Sequence, residues 1–177
     1  TFVIANLIQT YIAFRGYCKN KRVGEENWYK EVGLGQSYYL WGKLDNMRPG
    51  ISIIVPTYNC SDNLKKLLQS IFAQSLQPDE IIIVDSSTDR SIEDLITSIS
   101  SEIPLIYKRS VKEYPGEKRN EGASIASHEW LAFLDVGTIP RKNWLKNNMT
   151  LAIDEKYDVV FGHTKYRALN NFQMLLR

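Results

Sequence analysis

Cysteine and histidine are scarce in this chain of 177 residues, with two of each. Cys18 and Cys60 stand far apart, so no disulfide framework is expected and no Cys/His group has zinc spacing. Two isolated thiols point to a reducing compartment, and a cytoplasmic location is expected. His128 and His163 also stand alone and read as surface or turn residues. Charge of one sign is lacking too: 22 basic against 20 acidic residues leave a net charge of +2, which gives no basis for nucleic-acid binding. No apolar run reaches the roughly 20 residues needed to span a bilayer. Gly33-Leu34-Gly35 lacks both the third glycine and a preceding strand, which excludes a dinucleotide fingerprint.

The chain begins at Thr1 and ends at Arg177 inside a helix that starts at Asn171, as expected of a piece of a longer protein. Phe2 to Phe14 is mostly apolar, with Asn6, Gln9 and Thr10 near one face at helical spacing, and reads as an amphipathic helix. Arg15, Lys19, Lys21 and Arg22 follow it directly. An apolar helix beside a basic cluster could also lie on an anionic membrane surface, at its inner face. Arg48-Pro49-Gly50 is turn chemistry. It divides a helical N-terminal extension, 1–50, from a main domain, 51–177.

From Ile51 the pattern becomes strand, helix, strand, helix. Ile51-Ser-Ile-Ile-Val-Pro-Thr-Tyr-Asn59 is apolar at four of its first five residues and then turns polar, as a buried parallel strand delivering a loop would. Ser61 suits an N-cap, and Leu64, Leu67, Leu68, Ile71 and Phe72 repeat at helical spacing. The second strand is Glu80–Asp85, followed by a helix marked by Ile92, Leu95, Ile96 and Ile99. A third strand covers Pro104–Arg109, and Pro115-Gly116 opens a third helix. The fourth strand is Glu129–Asp135. Pro140 suits the first turn of a fourth helix, whose core face is Trp144, Leu145, Met149, Ala152 and Ile153, and Tyr157–Gly162 reads as strand five.

Alternating strands and helices make an α/β fold, a Rossmann-like, mostly parallel sheet with helices on both faces. Such sheets bind ligands beyond the carboxyl ends of their strands, where the strand order reverses. A core order of 3-2-1-4 sets Thr57 and Asp135 on either side of the crevice, with Asp85 one strand further along. Asp85 and Asp135 suit the hydrogen-bond donors of a ribose or base. Arg119, in the first turns of a helix, suits a diphosphate. The set fits a nucleoside diphosphate.

Pro56-Thr57-Tyr58-Asn59 with Leu68-x-x-Ile71-x-x-Gln74, then Ile81-Ile82-Ile83-Val84-Asp85-Ser86-Ser87-Thr88-Asp89, resembles the opening of the family-2 glycosyltransferases of the GT-A fold. Pro115-Gly116-x-x-Arg119-Asn120-x-Gly122 and Leu131-Ala132-Phe133-Leu134-Asp135 resemble their third helix and metal-motif region, in family order. The resemblance implies a nucleotide-sugar donor site. Pro56, Thr57, Tyr58 and Asn59 would line the base and ribose, Asp85 with Ser86 would read the base, and Arg119 with Asn120 would approach the base or diphosphate. Asp135 would hold the ribose or a divalent cation, Mn or Mg. It also implies transfer of a sugar, with inversion, to the hydroxyl of a saccharide or lipid-linked acceptor.

Two departures from the family pattern stand out. The loop after the second strand often reads Asp-Asp-Gly-Ser-Thr-Asp, and here it is one residue shorter, which leaves the base-reading role to Asp85. Gly137 replaces the second aspartate of the Asp-x-Asp metal motif. The general base of family members lies well after that motif, and Asp154, Glu155 and Asp158 are not placed to serve, so it is expected beyond Arg177. A piece of this extent is expected to bind donor without completing transfer. A non-catalytic nucleotide-sugar-binding or scaffolding module is the alternative.

Overall fold

A computed structural model describes residues 11–12 and 49–164. Within them, six strands form one sheet: β1 (Tyr11–Ile12), β2 (Ile51–Thr57), β3 (Glu80–Asp85), β4 (Leu105–Arg109), β5 (Trp130–Phe133) and β6 (Val160–Phe161). The order is β4-β3-β2-β5-β1-β6. The first four positions are parallel and reproduce the expected 3-2-1-4 core. β1 runs antiparallel to both β5 and β6.

The helices are α1 (Ser61–Phe72), α2 (Ser91–Ser98), α3 (Pro115–Ile125) and α4 (Trp144–Asp154). They cover both faces of the sheet, as two strands buried along their whole length require. On one face, Ile51, Ile53, Val55, Ile81 and Ile83 pack with Leu64, Leu67, Leu68 and Ile71 of α1, Ile92 of α2, and Leu145 and Met149 of α4. On the other, Ile54, Ile82, Val84 and Leu131 meet Ala123 of α3. The strand period of two sends alternate residues to the two layers. Each fully buried isoleucine or leucine contributes about 2 kcal/mol of apolar burial.

α3 approaches the sheet through Gly122. A Cβ there would lie 2.5 Å from Ile54 Cγ2 and 3.2 Å from Val84 Cγ2, and both side chains are enclosed in the core. Gly122→Ala is therefore expected to destabilise the domain by about 1–3 kcal/mol through overpacking, read as a lower urea midpoint at unchanged slope.

Pro56 sits inside a central strand without breaking it. The Ile54 carbonyl accepts from Leu134 N at 3.1 Å, so Ile54 faces β5. Pro56, two residues on, turns its nitrogen to the same side, past the last paired residue of β5. The missing N–H falls where the ladder has already ended.

Four expectations are corrected. Tyr11 and Ile12 stand in a strand rather than a helix, because β5 and β6 both offer pairing edges; the rest of the Phe2–Phe14 run lies outside the described residues, as does the segment from Asn171. The N-cap of α1 is Cys60, whose carbonyl accepts from Leu64 N at 2.9 Å, and Ser61 is the first helical residue. Pro140 precedes α4 instead of opening it. The Arg141 and Lys142 carbonyls accept from Gln74 Nε2 at 2.9 Å and Ser75 N at 2.8 Å, which delays the helix to Trp144. The last strand shortens to Val160–Phe161, since its partner β1 offers only two residues. No helix among the described residues is long and apolar enough to cross a membrane.

Candidate functional site

The strand order reverses between β2 and β5, and the polar residues of interest gather at the carboxyl ends beside that reversal. Register explains the first cluster. Thr57 lies opposite Asp85, and Asp85 opposite Arg109, so all three side chains leave the same face of the sheet, with Tyr107 two residues before Arg109. Asp85 is fully enclosed. Its Oδ1 accepts from Thr57 Oγ1 at 2.9 Å and from Ser87 N at 3.0 Å, and also from the Ser87 hydroxyl. Its Oδ2 accepts from the Tyr107 hydroxyl and from Arg109 Nη1, each at 3.1 Å. Both oxygens are occupied by protein donors, so Asp85 organises the loop rather than facing the crevice. Arg109 continues this clamp by donating to the carbonyls of Asp89, at 3.1 Å, and Ser87. Burial raises the Tyr107 phenol above its ordinary value; the bond from Arg109 opposes that shift.

The loop after β3 is tied back to the loop after β2. Asn59, at φ 46°, accepts on Oδ1 from Thr88 N at 2.9 Å, and its own N–H donates to Ser87 Oγ at 2.8 Å. Asparagine tolerates this left-handed backbone better than most residues. Asn59 thus fastens two loops together and is otherwise exposed. Farther along, the Asp89 carboxylate accepts from Ser91 N and Oγ at 3.0 and 2.7 Å, which starts α2 and lowers its pKa, the hydroxyl bond being the larger cause.

Lys118 of α3 reaches the same strand tips from the opposite layer. Its ammonium donates to the Thr57 carbonyl at 2.8 Å and to Ser86 Oγ at 2.9 Å, and lies 5.8 Å from the centre of the Tyr58 ring. The side chain is only 2% exposed. Burial pushes its pKa down, while the Asp85 carboxylate pulls it up. Tyr58 itself is 57% exposed and stands over this group as an open aromatic wall. Ser86 is half-buried beneath it.

One residue further along α3, Arg119 forms an ion pair with Asp135, which follows β5. The Arg119 Nε is buried without a partner among the described residues. Asp135 also begins a turn, its carbonyl accepting from Thr138 N at 3.2 Å and Thr138 Oγ1 at 2.7 Å. Gly137 occupies that turn at φ +97°, with open space where a Cβ would be. Asn120 is exposed on α3.

A metal ion needs several oxygen or nitrogen ligands. The described residues offer Asp135, already engaged by Arg119, and no side chain at Gly137. No group of three or more acidic, histidine or cysteine side chains among them is placed to hold a cation. They do not by themselves fit a divalent metal centre. Restoring the second carboxylate with Gly137→Asp is expected to cost about 1–2 kcal/mol, because the backbone there is a glycine conformation. The loss would be read in thermal unfolding.

Tyr58 and Ser86 are thus gathered about the Lys118 ammonium, and Arg119, the next residue of α3, pairs with Asp135. Thr57, Asp85 and Asn59 are bonded into the strand tips and loops beside them. Sequence reasoning missed Lys118, Arg109 and Tyr107. Arg109 and Tyr107 were legible in principle, since a parallel register places the end of the third strand beside Asp85. Lys118 reads as one solvated charge among Glu117, Arg119 and Glu121. Yet it shares a helix face with Gly122, four residues on, and that is the face a glycine lets close onto the sheet.

Residues 52–177 match the family model described as Glycosyl transferase family 2. A chondroitin synthase of Pasteurella multocida (strain Pm70) is 26% identical over 153 residues, which is 84% of this chain and 15% of the synthase. The structure of S. aureus TarS 1–349 in complex with UDP is 26% identical, with a TM-score of 0.54 over 60% of this chain and 33% of that one. A mannosyltransferase, PcManGT from Pyrobaculum calidifontis, in complex with GDP-Man and Mn2+, is 22% identical with a TM-score of 0.50, over 60% of this chain and 32% of that one, a likeness of fold. The chain therefore spans a small part of the synthase and about a third of each of these solved chains.

Proposed function

This chain belongs to glycosyl transferase family 2, and on that premise we propose that it forms the nucleotide-sugar-binding half of an inverting glycosyltransferase. The observation that carries the reading is that two consecutive residues of α3 reach the strand tips beside the reversal of strand order, Lys118 bonding Ser86 near Tyr58 and Arg119 pairing with Asp135. In this reading Tyr58 covers the base, Ser86 meets its edge, and Arg119 offers a guanidinium to the diphosphate. Asp135 accepts from a ribose hydroxyl. Pro56, Thr57, Asn59 and Asp85 hold the walls, and exposed Asn120 borders the diphosphate side.

The acceptor is a saccharide or lipid-linked hydroxyl. Its oxygen attacks the anomeric carbon of the donor, forming a new C–O bond on the face opposite the breaking one. The diphosphate departs with the electron pair of the broken bond, and the acceptor proton goes to a general base outside the described residues. Arg119 contributes by offsetting charge that grows on the leaving group. A divalent cation would require ligands beyond the described residues, so no step is assigned to one.

The test incubates a protein of its relatives' length that carries this chain with a panel of nucleotide sugars and candidate glycan acceptors, following diphosphate release by phosphorus NMR and product anomers by proton NMR; the chain alone is expected to bind donor without release. From the longer protein, release with inverted configuration is expected. Retained configuration overturns the inverting assignment, and nucleoside diphosphate binding without release under any pairing favours the non-catalytic binding module.

A further inference from the structure

Strand β1 lies outside residues 52–177, which match the family model, yet it stands within the sheet between β5 and β6. Tyr11 lies opposite Phe133 and Phe161, and Ile12 opposite Ala132 and Val160. Among the described residues β6 joins the sheet through β1 alone. Successive residues of a strand turn their backbone groups to opposite edges, which fixes the bonding partners. Leu134 N donates to the Ile54 carbonyl of β2 at 3.1 Å. Phe133, one residue earlier, therefore turns its N–H and C=O the other way, toward Tyr11. Tyr11 gives its own pair to Phe133, so Ile12 turns to Val160 of β6. The approach to Asp135 is thus held from both sides, by β2 at Leu134 and by β1 at Phe133. Pairing of β2 with β5 ends at Ile54 and Phe133, so nothing further along β2 can replace the hold of β1.

We propose that the N-terminal segment is a working part of the main domain: β1 clamps the end of β5 and so seats Asp135, an inference whose functional side rests on the donor-site reading above. Tyr11 is a positioning residue that acts through the backbone of Phe133. The clamp is short, and a pair of ordinary backbone bonds holds the tip of β5 without locking it. The segment is therefore a reversible control on the crevice. When it withdraws, Asp135 is aimed only by the Leu134 bond, by its turn with Thr138 and by Arg119.

The test reads the full chain by amide hydrogen exchange in NMR and by calorimetric titration with UDP, CDP, GDP and ADP. In the parent the Phe133 amide is expected to be protected, although it turns away from β2. Tyr11→Pro removes an N–H that the pairing needs and should speed exchange at Phe133 about tenfold. It should also weaken the tightest diphosphate about threefold to tenfold, as for a charged partner that is mis-aimed rather than removed. Ile12→Pro breaks the pairing toward β6 instead and should disturb Phe133 and binding less. In an Asp135→Ala background Tyr11→Pro should weaken binding no further, whereas a general loosening of the fold would add its own loss. Should Tyr11→Pro fail to fold, Tyr11→Gly, which weakens a strand without removing its N–H, decides in the same directions. An unprotected Phe133 amide in the parent overturns the inference. Faster exchange with unchanged affinity overturns the seating of Asp135, while the donor site stands. Failure of all four diphosphates to bind the parent overturns the donor site and, with it, the role given to β1.

Discussion

Replacing Asp85 by alanine is expected to lower unfolding free energy by about 3 kcal/mol, a large share of what a domain of this size has to lose. The carboxylate accepts from Thr57, Ser87, Tyr107 and Arg109 at once, and none of it touches solvent. Removing it leaves the Thr57 and Ser87 donors enclosed without their acceptor. Arg109 is different: its side chain is 47% exposed, so the stranded guanidinium can recover water. That exposure keeps the cost below what a wholly buried pair would suffer. Arg109→Ala should accordingly cost less than Asp85→Ala. Urea unfolding of the full chain measures both, and the double variant should lose less than the sum, because the two groups share one interaction. An Asp85→Ala variant as stable as the parent would show that the loop does not depend on this clamp. Asp85→Asn separates charge from shape, since an amide keeps one acceptor oxygen but turns an N–H2 toward donors.

Much of this frame is legible in the sequence. Ile81 to Val84 are four consecutive β-branched residues between polar ends, a pattern only a strand covered on both faces explains, and the strand is buried throughout. Leu64, Leu67, Leu68 and Ile71 gave α1 its inward face by period alone. What period could not supply was anything decided by partners distant in sequence. Pro140 carries the local signature of a helix start, yet Gln74 and Ser75, more than sixty residues earlier, engage the Arg141 and Lys142 carbonyls, and Arg141 closes only a tight turn onto Trp144 N. Tyr11 and Ile12 sit in an apolar run of helical character, and two open sheet edges draw them into a strand.

The same division holds at the site. Asp85, Arg119 and Asp135 were legible as strand-end and helix-start residues, but their orientation was not. Asp85 faces inward because register places Tyr107 and Arg109 against it. Lys118 was hidden because a lysine among charged neighbours ordinarily faces water. Only the close approach at Gly122, a tertiary fact, turns it toward the strand tips.

The largest functional effect is expected at Arg119. In a protein of its relatives' length that carries this chain, Arg119→Ala should reduce nucleotide-sugar turnover by about 100-fold or more, the usual scale for losing a group that stabilises charge in the transition state. The guanidinium is mostly enclosed, pairs with Asp135, and keeps its Nε unpartnered among the described residues. Such a group is already desolvated, so a diphosphate meeting it gains more than it would from a surface arginine. Arg119→Lys should recover little, because a single ammonium cannot keep Asp135 and present a second planar donor pair. Asp135→Ala is expected to be nearly as damaging, since the guanidinium would lose the partner that aims it. If the two act as a unit, the double variant will be little worse than either single one, and kcat should fall more than KM rises. Independent effects that multiply would instead assign Arg119 to the phosphate and Asp135 to the ribose as separate contacts. Full turnover in Arg119→Ala would remove Arg119 from the donor site altogether.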